Sequence, residues 1–268
     1  MKLSVSNIAW NIEEEQEIFD ILLSNGVTGI EVAPTKIWPE WKGADRKQAL
    51  ITKQNYQNQG FVIPALQAIL FAKPEMKVFG ESHSQIELLA HLERVASLAS
   101  VLGAEIMVFG SPKNRDSGDL SSEQAFVNGA DFFQRAGAVC AKSNVKLCLE
   151  PNPSVYGCNF MTRWYEVFEM VKEVSHPGIS LHLDTACIHL EGDDVVDAIY
   201  SCVDHIKHFH ITEPNLGDFS KPELNHAAIG KALKDIAYDG WLSIEMRRSD
   251  NPQRSIKEAV SRVTEWYG

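Results

Sequence analysis

Four short apolar stretches in the second half of the chain each end in one ionisable residue. These residues are Glu150 in KLCLEPNP, Asp184 in ISLHLDTA, His210 in IKHFHITEP and Glu245 in WLSIEMR. Each stretch has the length and apolar character of a β-strand, and turn or loop residues follow it. The proline after Glu150 lacks a backbone N–H and does not continue a strand. Consecutive ends lie about one strand–helix unit apart, which predicts parallel strands whose ends meet.

The same alternation of strand and helix extends over the whole chain. Four further strands are predicted in the first half: Leu3–Trp10, Gly29–Ala33, Phe61–Leu70 and Glu105–Ser111. The predicted helices are Glu13–Ser24, Asp45–Gln59, Ser84–Leu102, a segment opened by Ser121, Thr162–Val174, Asp193–His205, His226–Tyr238 and Pro252–Tyr267. Eight strand–helix units with no linker predict an α/β fold, a (β/α)₈ TIM barrel forming one domain over 1–268. The rival fold is an open doubly wound sheet, but its usual G-x-G-x-x-G follows no strand here.

Charge and cysteine content narrow the class of protein. The formal net charge of −11 disfavours nucleic acid and anionic membranes as partners, because both bind basic surfaces. The five cysteines form no C-x-x-C pair and mostly lie in apolar runs, as reduced thiols in a cytoplasmic protein do. The N-terminal MKLSVSNIAW reads directly as a strand and not as a signal peptide, and no apolar run is long enough to span a bilayer. We therefore expect a cytoplasmic protein that binds a small molecule.

The four strand-end residues form a plausible set of metal ligands. In a (β/α)₈ barrel, catalytic residues collect at the C-terminal strand ends. Three carboxylates and one imidazole suit Mn²⁺, Mg²⁺ or Co²⁺, with Zn²⁺ as a further candidate. The predicted ligands are Glu150, Asp184, His210 and Glu245. Any one such carboxylate is more often a helix cap, so the metal prediction depends on all four occurring together. Two positions of an octahedral ion then stay open, which fits two adjacent oxygens of a hydroxy-ketone.

Residues two positions before each ligand share its face of the strand. They are Cys148, His182, His208 and Ser243, all small or polar. This composition predicts a polar layer beneath the ligands, where side chains could hydrogen-bond to them and fix their orientation.

The order Glu, Asp, His, Glu on strands five to eight resembles the xylose-isomerase-like barrel superfamily, which holds many sugar isomerases and epimerases. In its ketose 3-epimerase branch these four positions bind one divalent metal, and the two Glu flank the substrate carbon as acid and base. The resemblance covers essentially the whole chain. It implies that Glu150 and Glu245 are catalytic, and that a sugar or sugar phosphate reacts by proton transfer through an enediolate.

The surrounding positions depart from that branch. A substrate-binding His expected three residues after the Asp is Cys187, an Arg expected six after the metal His is Leu216, and a Glu expected six after the first Glu is Tyr156. The substrates of those epimerases are therefore not carried over. The AP-endonuclease branch needs further His ligands on strands three and four, but those ends read Gln67 and Gly110-Ser111. Together with the acidic charge, this argues against DNA repair.

Other polar residues near the same rim are candidates for binding the substrate. We predict three near the ends of strands one to three, one before a helix, and two cations that could bind a phosphate or carboxylate: Asn7, Glu31, Gln67, His226, Arg115 and Arg247. Each could instead cap a loop, pack in the core or remain a solvated loop charge.

The resulting prediction is a divalent-metal-dependent sugar or sugar phosphate isomerase or epimerase. A lyase that dehydrates a keto-sugar or keto-cyclitol is the first alternative, because its first step is the same proton abstraction. A catalytically silent barrel that only binds a sugar is the second. The sequence leaves a homo-oligomer open and does not identify the sugar or the metal.

Overall fold

Eight parallel strands surround a common axis in the computed structural model, which describes residues 1–268. The strands are β1 Lys2–Ser6, β2 Gly29–Glu31, β3 Ala65–Leu66, β4 Ile106–Phe109, β5 Lys146–Leu149, β6 Ile179–Asp184, β7 Ile206–Ile211 and β8 Trp241–Ile244. Each strand except β2 pairs with the next along the chain, and β8 pairs with β1. Only two isolated bridges join β2 to the β3 segment, Gly29 to Val62 and Val32 to Leu66. The predicted single-domain (β/α)₈ barrel is confirmed, with a nearly closed sheet.

Helices lie between the strands and pack on the outside of the barrel. They are α1 Glu15–Ser24, α2 Pro34–Ile37, α3 Arg46–Asn58, α4 Ser82–Leu102, α5 Ser122–Ala141, α6 Trp164–Val174, α7 Thr185–Leu190, α8 Val195–Ser201, α9 His226–Asp235 and α10 Pro252–Tyr267. The expected capping box is present: Ser121 Oγ accepts from Gln124 N, and the Gln124 side chain accepts from Ser121 N. No helix of the chain combines the length and the apolar character needed to cross a membrane.

Several segments differ from the sequence-based prediction, among them the short helix α2, which was not expected. The third strand, expected over Phe61–Leu70, is only Ala65–Leu66, because Pro64 has no N–H to donate and Ala68 turns the chain at φ 50°. The first strand ends at Ser6, and a 3₁₀ turn replaces its expected last residues. Helix α7 was not predicted. It begins directly after β6, where the Asp184 side chain accepts from Cys187 N and caps it.

The barrel interior is apolar on one side and polar on the other. Ala65, Ile106, Val108 and Cys148 form a small buried cluster on the β3–β5 side. On the opposite side, Glu31, His182, His208 and Ser243 are fully buried. The polar layer expected beneath the strand ends is therefore present, and it includes a carboxylate from β2.

Candidate active site

The four predicted ligands meet at the C-terminal end of the barrel. His210 Nδ1 lies 3.2 Å from Glu245 Oε2, 3.6 Å from Glu150 Oε1 and 3.8 Å from Asp184 Oδ2. One imidazole nitrogen therefore faces three carboxylates. The set spans the chain from Glu150 to Glu245. Its members converge because parallel strands place their last side chains at the same edge of the sheet.

Strand pairing places these side chains at one level. Asp184 and His210 are register partners on β6 and β7. Glu150 and Glu245 are the first residues beyond β5 and β8, and their N–H groups donate to Phe109 O and Ile211 O at 3.3 and 3.1 Å. At the end of β4, a side chain on Gly110 would collide with Glu150 Oε2, so glycine leaves the space that this carboxylate occupies.

Asp184 and His210 are each fixed by hydrogen bonds on the side away from the centre. Asp184 Oδ1 accepts from Cys187 N and from Thr212 Oγ1, both at 2.7 Å. His210 Nε2 donates to Glu31 at 2.9–3.0 Å. These contacts direct Asp184 Oδ2 and His210 Nδ1 towards the other carboxylates, the arrangement in which outer partners orient metal ligands.

Glu31 organises the polar layer and does not reach the cavity. Its carboxylate accepts from His208 Nε2 at 2.8 Å and from Ser243 Oγ at 2.7 Å, as well as from His210. Although burial opposes ionisation, His210 and His208 hold the pKa of Glu31 well below its ordinary value. Glu31, predicted to contact the substrate, is thus fully buried and held by two imidazoles.

His182 lies closer to the centre than the sequence suggested. Its Nε2 is 3.1 Å from Glu150 Oε1, and its ring centroid is 4.2 Å from that of His210. Glu150, His182, Asp184 and His210 each offer a ligand atom within one compact group. Burial, followed by the neighbouring His210, lowers the pKa of His182 to about 3, so the ring is neutral. The signal in the sequence was the alternation HLD in β6, which placed this His on the ligand face.

The cluster carries excess negative charge. Burial and the adjacent Glu150 carboxylate raise the pKa of Asp184 to about 7. The pKa of His210 is raised well above its ordinary value, because the Glu31 and Glu245 carboxylates outweigh the effect of burial. For Glu150, the interactions with His182 and His210 outweigh burial and lower the pKa. The raised pKa values of Asp184 and His210 both favour a positive charge at the point where the carboxylates meet.

A divalent cation fits this donor set. His210 Nδ1 is buried and has no hydrogen-bond partner, although three carboxylates surround it. Hard oxygen donors with one imidazole match Mn²⁺, Mg²⁺ or Co²⁺. The two glutamates face outward: 12% of the Glu245 and 9% of the Glu150 side chain is exposed, against 3% for Asp184 and 1% for His210.

A cavity of about 290 Å³ opens above the cluster. Its walls come from the last residues of β4, β6 and β7 and from the segments that follow β3 to β8. The lining residues are Gln67, Ala68, Ile69, Leu70, Phe71, Val108, Phe109, Gly110, Ser111, Glu150, Asn152, Tyr156, Asp184, Ala186, Cys187, His210, Thr212, Glu213, Leu216 and Glu245. Of the predicted substrate-binding residues, only Gln67 is among them. Sequence reasoning did not single out Asn152 or Glu213, which lie in loops after β5 and β7.

The two cations predicted to bind a substrate anion, Arg115 and Arg247, are not among the residues that line the cavity. Arg115 is fully buried, and its guanidinium donates to Glu150 O at 2.8 Å and to Phe109 O at 3.1 Å. Its charge is directed at backbone carbonyls and not at a ligand. Arg247 is exposed and does not line the cavity; its backbone N–H donates to Leu216 O.

Asn7 and His226, also predicted to bind the substrate, make contacts within the fold and do not line the cavity. Asn7 Oδ1 accepts from Ala33 N at 2.8 Å and joins the segments after β1 and β2. His226 is buried between Glu213 Oε1, at 2.6 Å from its Nε2, and Tyr267 Oη, at 2.8 Å from its Nδ1. It contacts the cavity only through Glu213.

Comparison with known proteins gives one family match and several distant relatives. An L-ribulose 3-epimerase from Methylomonas sp. is 26% identical over 130 residues, 48% of this chain and 45% of that protein. A probable ketose 3-epimerase from Synechocystis sp. is 26% identical over 163 residues, covering 59% and 56%. These alignments span about half the length of the relatives.

Solved structures agree with the chain in fold over its whole length. A D-psicose 3-epimerase determined in the presence of D-fructose superposes with a TM-score of 0.83 at 18% identity, covering 100% of both chains. The D-psicose 3-epimerase of Clostridium cellulolyticum H10, determined with D-tagatose, gives 0.82 at 15% identity and covers 100% of this chain and 99% of that one. At this level of identity the likeness shows the fold. The family model for the xylose isomerase-like TIM barrel matches residues 19–266, and the chain belongs to that family.

Proposed function

We propose that this protein is a divalent-metal-dependent sugar isomerase or epimerase, and that it inverts the carbon next to the carbonyl of a keto-sugar. The observation that carries the proposal is the placement of two cavity-lining carboxylates, Glu150 and Glu245, at 3.6 and 3.2 Å from His210 Nδ1. The names of the aligned relatives, L-ribulose 3-epimerase and ketose 3-epimerase, support a sugar 3-epimerase.

The two glutamates supply what proton transfer at carbon requires. One carboxylate removes the proton beside the carbonyl, and the other returns a proton from the opposite face of the resulting enediolate. Positioned general acid–base groups contribute roughly 10²- to 10⁴-fold to such steps. Glu150 and Glu245 directly follow β5 and β8, which are three positions apart in the barrel. The two carboxylates can therefore approach a sugar from different sides. A cation bound by the cluster would act as a Lewis acid on the carbonyl and neighbouring hydroxyl oxygens.

The charge of the cavity favours a neutral sugar over a sugar phosphate. Its lining residues include the carboxylates of Glu150, Asp184, Glu213 and Glu245 but no Lys or Arg. A phosphate recognised by proteins usually meets Arg, Lys or a helix N-terminus. The Arg115 guanidinium donates to backbone carbonyls, and the exposed Arg247 does not line the cavity.

Solvent exchange tests the proposal. Incubated with Mn²⁺ and a panel of ketoses in D₂O, the protein should place deuterium on the carbon next to the carbonyl. Glu150→Gln and Glu245→Gln should each abolish the exchange, while Glu169→Gln on the surface of α6 should not change it. Chromatography of the products separates the lyase alternative, since only a lyase loses water. Full-rate product formation with no deuterium in product or recovered substrate would contradict proton transfer by these glutamates.

A further inference from the structure

His182 is the one buried histidine of the chain that makes no hydrogen bond. Its side chain is fully buried, and neither Nδ1 nor Nε2 has a hydrogen-bond partner. The other buried histidines each make at least one such bond: His91 with Ile69 O, His208 and His210 with Glu31, and His226 with Glu213 and Tyr267. Burying a polar group without a partner is unfavourable, so an unpaired imidazole in the interior indicates a partner of another kind, such as an ion.

The Nε2 atom of His182 lies beside the carboxylate cluster. It is 3.1 Å from Glu150 Oε1, and the same oxygen is 3.6 Å from His210 Nδ1. The two imidazole rings are nearly perpendicular, at 80°, with centroids 4.2 Å apart. Two atoms that each bind one ion at roughly 2.1 Å are about 3.0 Å apart when they are adjacent ligands of an octahedron. The contact between His182 and Glu150 has this separation, as does the 3.2 Å contact between His210 and Glu245.

The sequence of β6 brings His182 to the same centre as Asp184. The two residues are two positions apart, so their side chains share one face of the strand. In the adjacent strand, His208 and His210 are their register partners. Glu150, His182, Asp184 and His210 each offer one atom to a group whose atoms all lie within 4.8 Å of one another. His182 can therefore bind the same ion as three of the predicted ligands.

We infer that His182 Nε2 is a further ligand of the divalent cation, so that the chain supplies two imidazoles as well as carboxylates. This inference rests on the metal dependence in the proposed function. A second nitrogen donor changes the preference among cations, because Mg²⁺ favours oxygen ligands, whereas affinity for mixed nitrogen and oxygen sites rises from Mn²⁺ to Co²⁺. The site should therefore prefer Co²⁺ or Mn²⁺ to Mg²⁺.

The second imidazole also distinguishes Glu245 from the other donors. With His182 bound, the chain offers five donors, and an octahedral ion keeps one open position. Glu245 has the most exposed side chain of the five, at 12%, whereas that of His182 is fully buried. Glu245 lines the cavity and His182 does not. A sugar that binds through two oxygens would therefore displace Glu245, which leaves that carboxylate free for proton transfer.

The experiment counts the nitrogen ligands of Mn²⁺ bound to the intact protein. Pulsed EPR detects the nitrogen nucleus of each imidazole that binds Mn²⁺, and it should find two in the wild type and one in His182→Gln. His91→Gln is the matched control, because it replaces a buried imidazole on α4 that bonds to Ile69 O, and two nitrogens should remain. A single nitrogen in the wild type would overturn the inference, and this result does not depend on whether a variant folds.

Affinity separates a ligand from a residue that only orients Glu150. The amide of His182→Gln keeps an N–H group near Glu150 but offers no imidazole nitrogen. It should weaken binding of Co²⁺, measured by isothermal titration calorimetry, by more than the roughly 10- to 100-fold that loss of an orienting partner costs. Binding of Mg²⁺ should weaken less, and equal weakening of both cations would contradict ligation by His182. Epimerisation of a ketose by a protein with one nitrogen on Mn²⁺ would leave the proposed function standing, whereas a wild type that binds no divalent cation would overturn both.

Discussion

At the scale of single residues, the site contains a fully buried carboxylate that does not line the cavity. Glu31 accepts hydrogen bonds from His208, His210 and Ser243. Through His210 it selects the tautomer and ring orientation that directs Nδ1 towards the cavity. Carboxylate–histidine pairs of this kind raise the basicity of a ligating imidazole.

Glu31→Gln should therefore weaken binding of Mn²⁺ by roughly 10- to 100-fold. The amide keeps the size of the side chain, but it removes the negative charge and leaves one acceptor oxygen for three donors. Isothermal titration calorimetry with Mn²⁺ measures the Kd directly. Glu87→Gln is the matched control, because Glu87 forms an exposed pair with His83 on α4, 3.3 Å apart. Unchanged affinity in a folded Glu31→Gln protein would show that His210 is oriented by other contacts.

The sequence could identify the predicted metal ligands but not the residues that hydrogen-bond to them and hold them in place. Glu150, Asp184, His210 and Glu245 follow from a local pattern, an apolar run that ends in an ionisable residue. The partners of Glu31 lie 177 to 212 positions away in the chain, so no local pattern pairs them. Arg115 illustrates the same limit. A charged residue after a strand suggests an accessible side chain, but the Arg115 side chain is buried and donates to backbone carbonyls.

At the scale of secondary-structure elements, Arg115 joins the ends of two neighbouring strands. Its guanidinium donates to Phe109 O at the end of β4 and to Glu150 O just beyond β5, and it lies 5.7 Å from the Phe109 ring centre. Phe109 O also accepts from Glu150 N, so the guanidinium adds a second donor there. The loop after β4 thus helps to hold the backbone of Glu150, the proposed acid or base, in place.

Arg115→Ala should lower the free energy of unfolding by roughly 3 kcal/mol, because two charge-assisted hydrogen bonds are lost inside the protein. Arg115→Lys should recover only part of it, since an ammonium does not reproduce the forked geometry. Urea denaturation provides the measurement. Arg46→Ala, which removes an exposed bond to Ser97 Oγ on α4, should cost less than about 1 kcal/mol. Equal losses for Arg115→Ala and Arg46→Ala would mean that the guanidinium contacts are not stabilising.

Element boundaries show where local chemistry decides the structure and where it does not. Caps with clear signals, such as Asp45 and Ser121, begin α3 and α5 as expected. The third strand is short because Pro64 and the turn at Ala68 interrupt it, and this interruption produces the apolar segment Ala68–Phe71 in the cavity wall. The apolar run alone predicts a strand over the whole of Phe61–Leu70.

At the scale of the whole molecule, the alternation of strands and helices was enough to predict the barrel. A closed ring then determines which side chains meet, so the residues at the ends of β5–β8 come together although 95 positions separate Glu150 from Glu245. What the ring does not determine is which rim residues turn inward. Burial and hydrogen bonding keep Asn7, Glu31, Arg115 and His226 out of the cavity wall, whereas Arg247 is exposed outside it.

Since the ligands come from four consecutive strands, metal binding should stabilise the entire domain. A ligand that binds only the folded state adds about 2.7 kcal/mol at a concentration of 100 times its Kd. For a chain of this size, that corresponds to a rise in Tm of roughly 5 °C. Scanning calorimetry with Mn²⁺ and then with excess EDTA measures the shift and its reversal.

His210→Ala should abolish both the shift and the bound metal, because it removes the only imidazole that faces the three carboxylates. His189→Ala is the matched control: His189 is exposed on α7, five residues beyond Asp184, and makes no contact with the cluster. Metal analysis after dialysis should find about one ion per chain in the wild type and the control, and none in His210→Ala. Equal metal content and equal Tm shifts in all three proteins would place the bound ion away from Glu150, Asp184, His210 and Glu245, and the proposed chemistry would lose its metal centre.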